Sequence, residues 1–182
     1  AEDASGSRVR DALAAAARRG VRVDLIVDGF GADARKGFFA PMVAAGGRFC
    51  CFSPRWSQRY LIRNHQKIVV ADDVRGIIGG FNVADDYFDP PAAGGWSDLA
   101  VTVEGPAVRD LARWFDQLDE WARGQSNWRS MRRMVRHWQP GEGPVRVLIG
   151  GPTRGLSSWA KSVRGDLASA RRVDMIMAYF SP

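Results

Sequence analysis

The segment from His65 to Asn82 constrains the fold of this chain more than any other. Its apolar, β-branched run Ile68-Val69-Val70 favours a strand, and the pair Asp72-Asp73 offers a turn. Residues 75–79 then return as a second strand, so the segment predicts a hairpin. Such a hairpin brings Asn82, which lies just beyond the second strand, back towards the start of the first strand.

His65 and Lys67 lie at the head of the first of these strands. Strand residues two positions apart point to the same face, so one face presents an imidazole beside an ammonium group. A neutral imidazole is a competent nucleophile near neutral pH, since unperturbed histidine titrates at about 6.5. Attack on phosphorus gives a phosphohistidine and divides a difficult displacement into two easier steps. Lys67 and Asn82 can donate to the oxygens that gain charge in the transition state.

Two carboxylates are candidates for supporting roles. Asp98, in Trp96-Ser97-Asp98-Leu99, is the best candidate to fix the tautomer of His65 and to stabilise its imidazolium form. Asp72 lies in the predicted turn, where the capping of backbone donors is a simpler role than catalysis. The alternative for the whole segment is a surface hairpin with a structural histidine. However, the chain has only two histidines, and one of them begins the complete pattern.

The full spacing, H-x-K-x4-D-x6-G-G-x-N, resembles the signature of the phospholipase D superfamily. The continuation Gly79-Gly80-x-Asn82 is most similar to the bacterial cardiolipin synthase-like branch, as is Trp96-x-Asp98-Leu99. The resemblance extends from Arg8 or so to the end of the chain. It implies an α/β fold with a mixed β-sheet sandwiched between helices, and phosphatidyl transfer through a phosphohistidine without a metal or other cofactor.

The candidate site residues form two groups. By the resemblance, the catalytic group is His65, Lys67, Asp72, Asn82 and Asp98, with His65 as the nucleophile or the general acid. We expect substrate contacts from Gly79, Gly80, Arg59 and Arg63. The two arginines lie on a basic connection, residues 54–64, that leads into His65, and loops that feed a site often contact the substrate. A second loop, 87–95, can line or cover the site; for the arginines, ordinary solvation is the alternative.

The chain departs from the family pattern in the number of its motifs. Family enzymes need two, with one histidine attacking and the other protonating the leaving oxygen, whereas this chain has one. His137 has no lysine two residues later and no following aspartate, so we interpret it as a surface or linker histidine. The second half-site is expected from the rest of a longer protein or from a dimer mate.

Helices and strands alternate along the chain, which points to an α/β layered domain. Ser7 is a plausible N-cap for the first helix. We predict helices over residues 8–19, 38–45 and 107–121. We predict further strands over residues 21–27, 48–52 and 99–103.

The segment Trp128–Trp138 combines apolar residues at helical spacing with four arginines. Such a basic amphipathic helix can lie on an anionic membrane surface. We favour instead a linker helix packed between two halves of the protein.

The tail predicts a linker over residues 139–144, a strand over 145–149, a helix over 156–172 and a strand over 173–182. By the resemblance, this tail opens a second, similar half, and it repeats the helix-then-strand order of residues 8–29. We therefore expect a first phospholipase D-like domain over 1–138, truncated at its N-terminus, and a second beginning at 145 and truncated before its motif.

The net charge of +6 suits anionic partners, which include a phospholipid surface, nucleic acid and phosphate esters, without choosing between them. No apolar run approaches the ~20 residues that span a bilayer. Cys50 and Cys51 are adjacent and show no metal-ligand spacing. The resemblance implies an anionic phospholipid substrate and a peripheral location at the cytoplasmic face of a bacterial inner membrane.

Three other functions remain open from the sequence. Water as the acceptor, in place of an alcohol such as phosphatidylglycerol or glycerol, gives a phospholipase D. A nuclease of the same superfamily can use two copies of one motif across a dimer, and phosphate contacts dominate non-specific nucleic-acid affinity. A non-catalytic module that binds phosphate or anionic lipid is the third. The tail and the Trp-rich segments favour the lipid enzyme over the nuclease.

Overall fold

The computed structural model describes residues 1–29, 36–52, 64–124, 128–151 and 157–175. The strands are β1 (Asp24–Asp28), β2 (Arg48–Phe52), β3 (Lys67–Ala71), β4 (Arg75–Gly79) and β5 (Ala100–Glu104). The α-helices are α1 (Ala4–Arg18), α2 (Ala40–Ala44), α3 (Ala107–Arg123), α4 (Trp128–His137) and α5 (Ser158–Ser169). Short 3-10 helices cover Lys36–Phe39, Asp85–Tyr87 and Pro91–Ala93.

The described strands form one parallel and one antiparallel arrangement. β1 and β2 pair in parallel, with Asp24 opposite Arg48 and Asp28 opposite Phe52, and α2 lies on the connection between them. A parallel pair needs such a crossover, whereas antiparallel neighbours need only a turn. The order β3-β4-β5 is antiparallel throughout, and β3 and β4 form the predicted hairpin.

The parallel pair lies between two apolar layers. On one face, Leu25 and Phe49 pack against the cluster that α1 and α2 form around the fully buried Met42. On the other face, Ile26 and Phe52 pack against the second cluster, which consists of Trp114, Leu118, Trp121, Met131, Val135, Trp138 and Ile149. Adjacent residues of β1 therefore enter different cores, as expected for a strand buried on both faces. The predicted α/β fold, with strands sandwiched between helices, is confirmed.

Helix α3 contacts all of β2, β3, β4 and β5, so it joins the parallel pair to the antiparallel strands. Gly76 in β4 permits its close approach, because a Cβ atom built there would lie 2.9 Å from a methyl carbon of Leu111. Gln66, just before β3, is anchored from the same helix. Trp114, 2% exposed, donates its indole N–H to the Gln66 Oε1 atom at 2.7 Å.

Helix α1 begins earlier than predicted and has a different N-cap. Its cap is Asp3 and not Ser7, because the Asp3 carboxylate accepts from the Gly6 N–H at 2.7 Å. The same carboxylate accepts from the Asp85 N–H at 2.9 Å, and the Asp85 carboxylate accepts from the Ser5 N–H at 2.7 Å. This reciprocal clamp ties the start of α1 to the 3-10 helix Asp85–Tyr87.

The predicted packing of α4 is confirmed, because Met131, Val135 and the following Trp138 are buried in the core, whereas its place between two halves of the protein stays a prediction. His137 is exposed, as expected of a surface histidine. Among the described residues, none of the helices combines the length and the apolar character that a bilayer crossing requires.

The tail is only partly as predicted. Helix α5 is present, capped by the Ser157 hydroxyl, which accepts from the Ala160 N–H at 3.2 Å. The predicted strand over 145–149 is wrong within the described part of the chain, where these residues have no strand pairing. The Val147 carbonyl instead accepts from the indole N–H of Trp138 at 2.7 Å. Residues 173–175 also lack strand pairing, and the rest of the final predicted strand lies outside the described residues.

Candidate active site

The candidate site lies at the head of β3, where several chain segments meet. The register places Lys67 opposite Gly79 in β4, and Gly79 opposite Ala100 in β5. One residue further on, the Gly80 N–H donates to the carbonyl of Leu99 at 3.1 Å. His65, Asn82 and Asp98 flank these positions in sequence and therefore lie at one edge of the sheet.

His65 and Lys67 share a face because of the residue between them. Gln66 points towards α3, where its amide oxygen accepts from Trp114. Since side chains alternate along extended chain, the imidazole and the ammonium group point away from α3. The Nζ atom of Lys67 donates to the His65 carbonyl at 2.8 Å, and the His65 side chain is exposed. The described contacts therefore set the two groups on one face of the chain.

Lys67 is half-buried, and its burial lowers the pKa of the ammonium group below the ordinary lysine value. The negative charges of Asp98 and Asp28 act in the opposite direction and favour the charged form. A partly desolvated ammonium group attracts a phosphate oxygen more strongly than a fully hydrated one, because the effective dielectric constant is lower. Lys67 is therefore suited to hold a phosphodiester beside His65.

Asp98 lies directly against Gly80. A Cβ atom built on Gly80 would be 2.5 Å from the Oδ1 atom of Asp98, so glycine leaves the space that this carboxylate occupies. The Oδ1 atom accepts from the Leu99 N–H at 2.7 Å. No hydrogen bond between described residues joins Asp98 to the His65 ring, and the orientation of His65 by Asp98 stays a prediction.

Asn82 is held by a residue that the sequence did not assign to the site. Its Nδ2 atom donates to the Tyr87 hydroxyl at 2.9 Å, and the Tyr87 ring packs edge-on against Trp96 with the ring centres 5.0 Å apart. Tyr87 therefore fixes the amide while leaving its second N–H available for an oxygen of the substrate. In the sequence, the signal for Tyr87 was its position on the loop 87–95, which we predict to line the site.

Asp28 is a second residue that sequence reasoning missed. It ends β1, and its Oδ2 atom accepts from the Asn64 N–H at 2.8 Å. The Asn64 side chain in turn accepts from the Gln66 N–H at 3.1 Å. Asp28 thus connects the parallel pair to the head of β3. The available signal was its place at the carboxyl end of a parallel strand, where α/β sheets commonly bind ligands.

Asp72 is not brought together with the other candidates. It lies with Asp73 in the turn of the hairpin, and both residues have φ of 54°. The Val74 N–H donates to the Ala71 carbonyl at 3.1 Å, as in the left-handed turns that match the twist of a hairpin. Asp72 lies five residues after Lys67 along the strand, which corresponds to about 17 Å. Its visible contribution is to the turn.

The remaining candidates differ in what the structure shows of them. Gly79 lies inside the ladder, where a built Cβ atom would be 2.5 Å from that of Ala100. Arg59 and Arg63 lie outside the described residues. Across the described ranges, no group of three or more histidine, cysteine, aspartate or glutamate side chains is arranged to hold a metal ion.

The fold and the site together define a phospholipase D-like domain. A family model described as cardiolipin synthase, PLD-like domain, matches residues 4–119, a range that includes the five described strands and the candidate site. The chain therefore belongs to the cardiolipin synthase, PLD-like domain family.

Curated cardiolipin synthases are similar to nearly the whole chain. Cardiolipin synthase 1 of Bacillus cereus is 33% identical over 99% of this chain and 38% of its own length. The major cardiolipin synthase of Bacillus subtilis is 31% identical over 99% of this chain and 39% of its own length. Cardiolipin synthase B of Escherichia coli K12 is 31% identical over 100% of this chain and 46% of its own length. The chain thus spans less than half the length of these relatives.

Proposed function

We propose that this chain supplies one half-site of an enzyme that transfers a phosphatidyl group from one alcohol to another, as in cardiolipin synthesis. The observation that carries the proposal is the meeting of three segments at one sheet edge. The register sets Lys67 opposite Gly79, three residues before the Tyr87-held Asn82, and this supports our proposal that His65, Lys67 and Asn82 face a common space. The names of the relatives, all cardiolipin synthases, support a phospholipid as the substrate.

The reaction we propose has two displacements at phosphorus. A ring nitrogen of His65 attacks the phosphodiester, a nitrogen–phosphorus bond forms, and the bond to the first alcohol oxygen breaks. The leaving oxygen takes a proton from a general acid. The hydroxyl of the acceptor alcohol then attacks the phosphohistidine: an oxygen–phosphorus bond forms, the nitrogen–phosphorus bond breaks, and the hydroxyl gives up its proton as the imidazole is restored. By microscopic reversibility, the group that served as acid now serves as base.

Lys67 and Asn82 would stabilise the non-bridging oxygens in both steps. Each displacement moves negative charge onto these oxygens, and donors that are already in place need no reorganisation during the reaction. Removal of one such donor costs on the order of a hundredfold in rate. The general acid is not among the residues assigned here, since the chain has a single motif. We propose that a second motif supplies it, either further along the same protein after a second half that begins near residue 145, or from a dimer mate.

The test is to trap the intermediate on the complete protein that contains this chain. The enzyme is mixed with phosphatidyl-labelled phospholipid and quenched in base, which preserves phosphohistidine, and protein-bound label is then counted. His65→Ala should lose the label and the transfer activity if His65 is the nucleophile. His137→Ala, which changes the exposed second histidine, is the matched control and should behave as the wild type. Equal labelling and equal transfer by both variants would reject the site.

The acceptor and the location need separate measurements. With labelled lipid and added phosphatidylglycerol or glycerol, the proposed transferase forms a new diester, whereas a phospholipase D releases phosphatidic acid. The positive net charge is what favours a nuclease. If the protein is a nuclease, we expect salt-sensitive DNA cleavage without lipid turnover. We further propose a peripheral location at the cytoplasmic face of a bacterial inner membrane, which cell fractionation and protease protection can test.

A further inference from the structure

Helix α4 is basic and amphipathic, but its apolar face is already occupied. Met131 and Val135 of this helix, and Trp138 directly after it, are between 3% and 5% exposed and pack in the same core as Trp114. The Ser130 hydroxyl also accepts from the indole N–H of Trp121 at 2.9 Å. This helix therefore cannot place its apolar side into a bilayer without unpacking the core, which excludes the usual mode of interfacial amphipathic helices.

The opposite face of α4 carries the arginine stripe, which we define as Arg129, Arg133 and Arg136. All three residues are exposed. Their spacing of four and then three residues places them within an arc of about 60°, on a line about 10 Å long. The stripe is thus a straight row of guanidinium groups that faces away from the core.

Within the described ranges, no carboxylate forms an ion pair with this stripe. The segment from Trp128 to His137 contains no aspartate or glutamate. Other arginines are paired, for example Arg123 with Asp119 at 2.8 Å, but no ion pair of the described residues includes a stripe arginine.

Helix stability does not explain the stripe either. Arg136 lies in the last turn of α4, where positive charge is favoured by the helix dipole. Arg129, however, lies in the first turn, where the dipole disfavours positive charge. The absence of carboxylates and an arginine at the unfavourable end together point to an anionic partner outside the chain.

We propose that the arginine stripe binds the phosphate groups of an anionic phospholipid bilayer, with the helix lying on the surface and not inserted. The preference for a bilayer over nucleic acid rests on the proposed function, because an enzyme of phospholipids must work at a membrane. Such binding is electrostatic, so it falls steeply with added salt. A guanidinium group also binds phosphate oxygens through paired N–H donors.

The test uses the 182-residue chain and sedimentation with vesicles of phosphatidylcholine, either alone or containing 30% phosphatidylglycerol. At roughly a fivefold contribution per basic residue near the surface, the triple variant Arg129→Gln, Arg133→Gln, Arg136→Gln should bind anionic vesicles on the order of 100-fold more weakly. The matched control changes Arg8, Arg19 and Arg171 to Gln. These are exposed and unpaired in the described residues, and their loss lowers the net charge equally.

The outcomes separate the stripe from a general effect of charge. The control triple variant should retain most of the binding, and replacement of the stripe by three lysines should restore most of it. Equal losses in both glutamine variants would overturn the proposal, as would binding of the wild type that is insensitive to salt. Binding to a mixed-sequence oligonucleotide without binding to anionic vesicles would overturn the choice of partner. None of these measurements depends on catalysis, so a failed labelling of His65 would leave them interpretable.

Discussion

Gly79 and Gly80 are neighbours in sequence, yet the structure predicts different consequences for an added methyl group at each. In Gly79→Ala the new Cβ atom would meet the Cβ atom of Ala100 at 2.5 Å and its Cα atom at 2.9 Å. Backbone atoms cannot move without separating β4 from β5. We therefore expect the overpacking cost of about 1–3 kcal/mol in the free energy of unfolding. For a chain of this length that corresponds to a fall in Tm of roughly 2–12 °C.

In Gly80→Ala the clash is with the end of a side chain. The Cβ atom would meet the Oδ1 atom of Asp98 at 2.5 Å, and this exposed carboxylate can rotate away at little cost. We expect the free energy of unfolding to change by no more than about 0.5 kcal/mol. The negative charge of Asp98 now raises the pKa of Lys67, and movement of the carboxylate weakens this effect. We therefore expect the pKa of Lys67 to fall further below its ordinary value.

The activity of Gly80→Ala should fall although its stability does not. A displacement of about 1 Å among groups that position a substrate typically costs on the order of a hundredfold in rate. Thermal melting of both alanine variants, transfer assays on the complete protein and titration of the lysine by NMR provide the three measurements. Gly165→Ala, in α5 with nothing within 4 Å of the built Cβ atom, is the control and should not lower Tm. Equal melting temperatures for Gly79→Ala and Gly80→Ala would refute the reasoning.

Three further predictions follow from single contacts. Trp114→Phe removes the indole N–H that donates to Gln66 and leaves a void where the indole packed, so Tm should fall with a loss of about 1–3 kcal/mol, and an unchanged Tm would contradict this. Tyr87→Phe takes the hydroxyl from Asn82, so kcat should fall about tenfold at constant Tm; an effect on KM alone would argue against it. The hydrogen bond from the Arg48 guanidinium is the main cause that lowers the pKa of Asp24 in the folded protein. The contribution of this ion pair to the free energy of unfolding is therefore present above the unfolded pKa of about 3.9, and it is lost as the pH falls through the folded pKa. Melting curves of wild type and Asp24→Asn should converge on acidification, and a constant difference would count against this ion pair.

The elements with strong local signals were predictable from sequence. β2 and β4 have the predicted bounds, Arg48–Phe52 and Arg75–Gly79, because a glycine pair or a turn marks an end of each. The hairpin follows from strand alternation and one turn, and its register sets Lys67 opposite Gly79, three residues before Asn82.

The contacts that hold the site were not predictable, because they join residues far apart in the chain. The bond from Trp114 to Gln66 spans 48 residues, and that from Asn64 to Asp28 spans 36. A local pattern reports which face of an element is apolar, and it does not report the partner of that face. The alternating apolar residues of 145–149 show the same limit: Ile149 is buried as the pattern indicates, although no described strand pairs with the segment.

The reciprocal clamp between Asp3 and Asp85 connects the first turn of α1 to a site whose first residue lies some sixty positions later in the chain. The 3-10 helix that Asp85 opens ends at Tyr87, and Tyr87 holds the amide of Asn82. A shortened chain that starts after Ser7 would keep every letter of the motif but release this loop. Truncation designed only to keep the motif would therefore remove contacts that position the Asn82 amide.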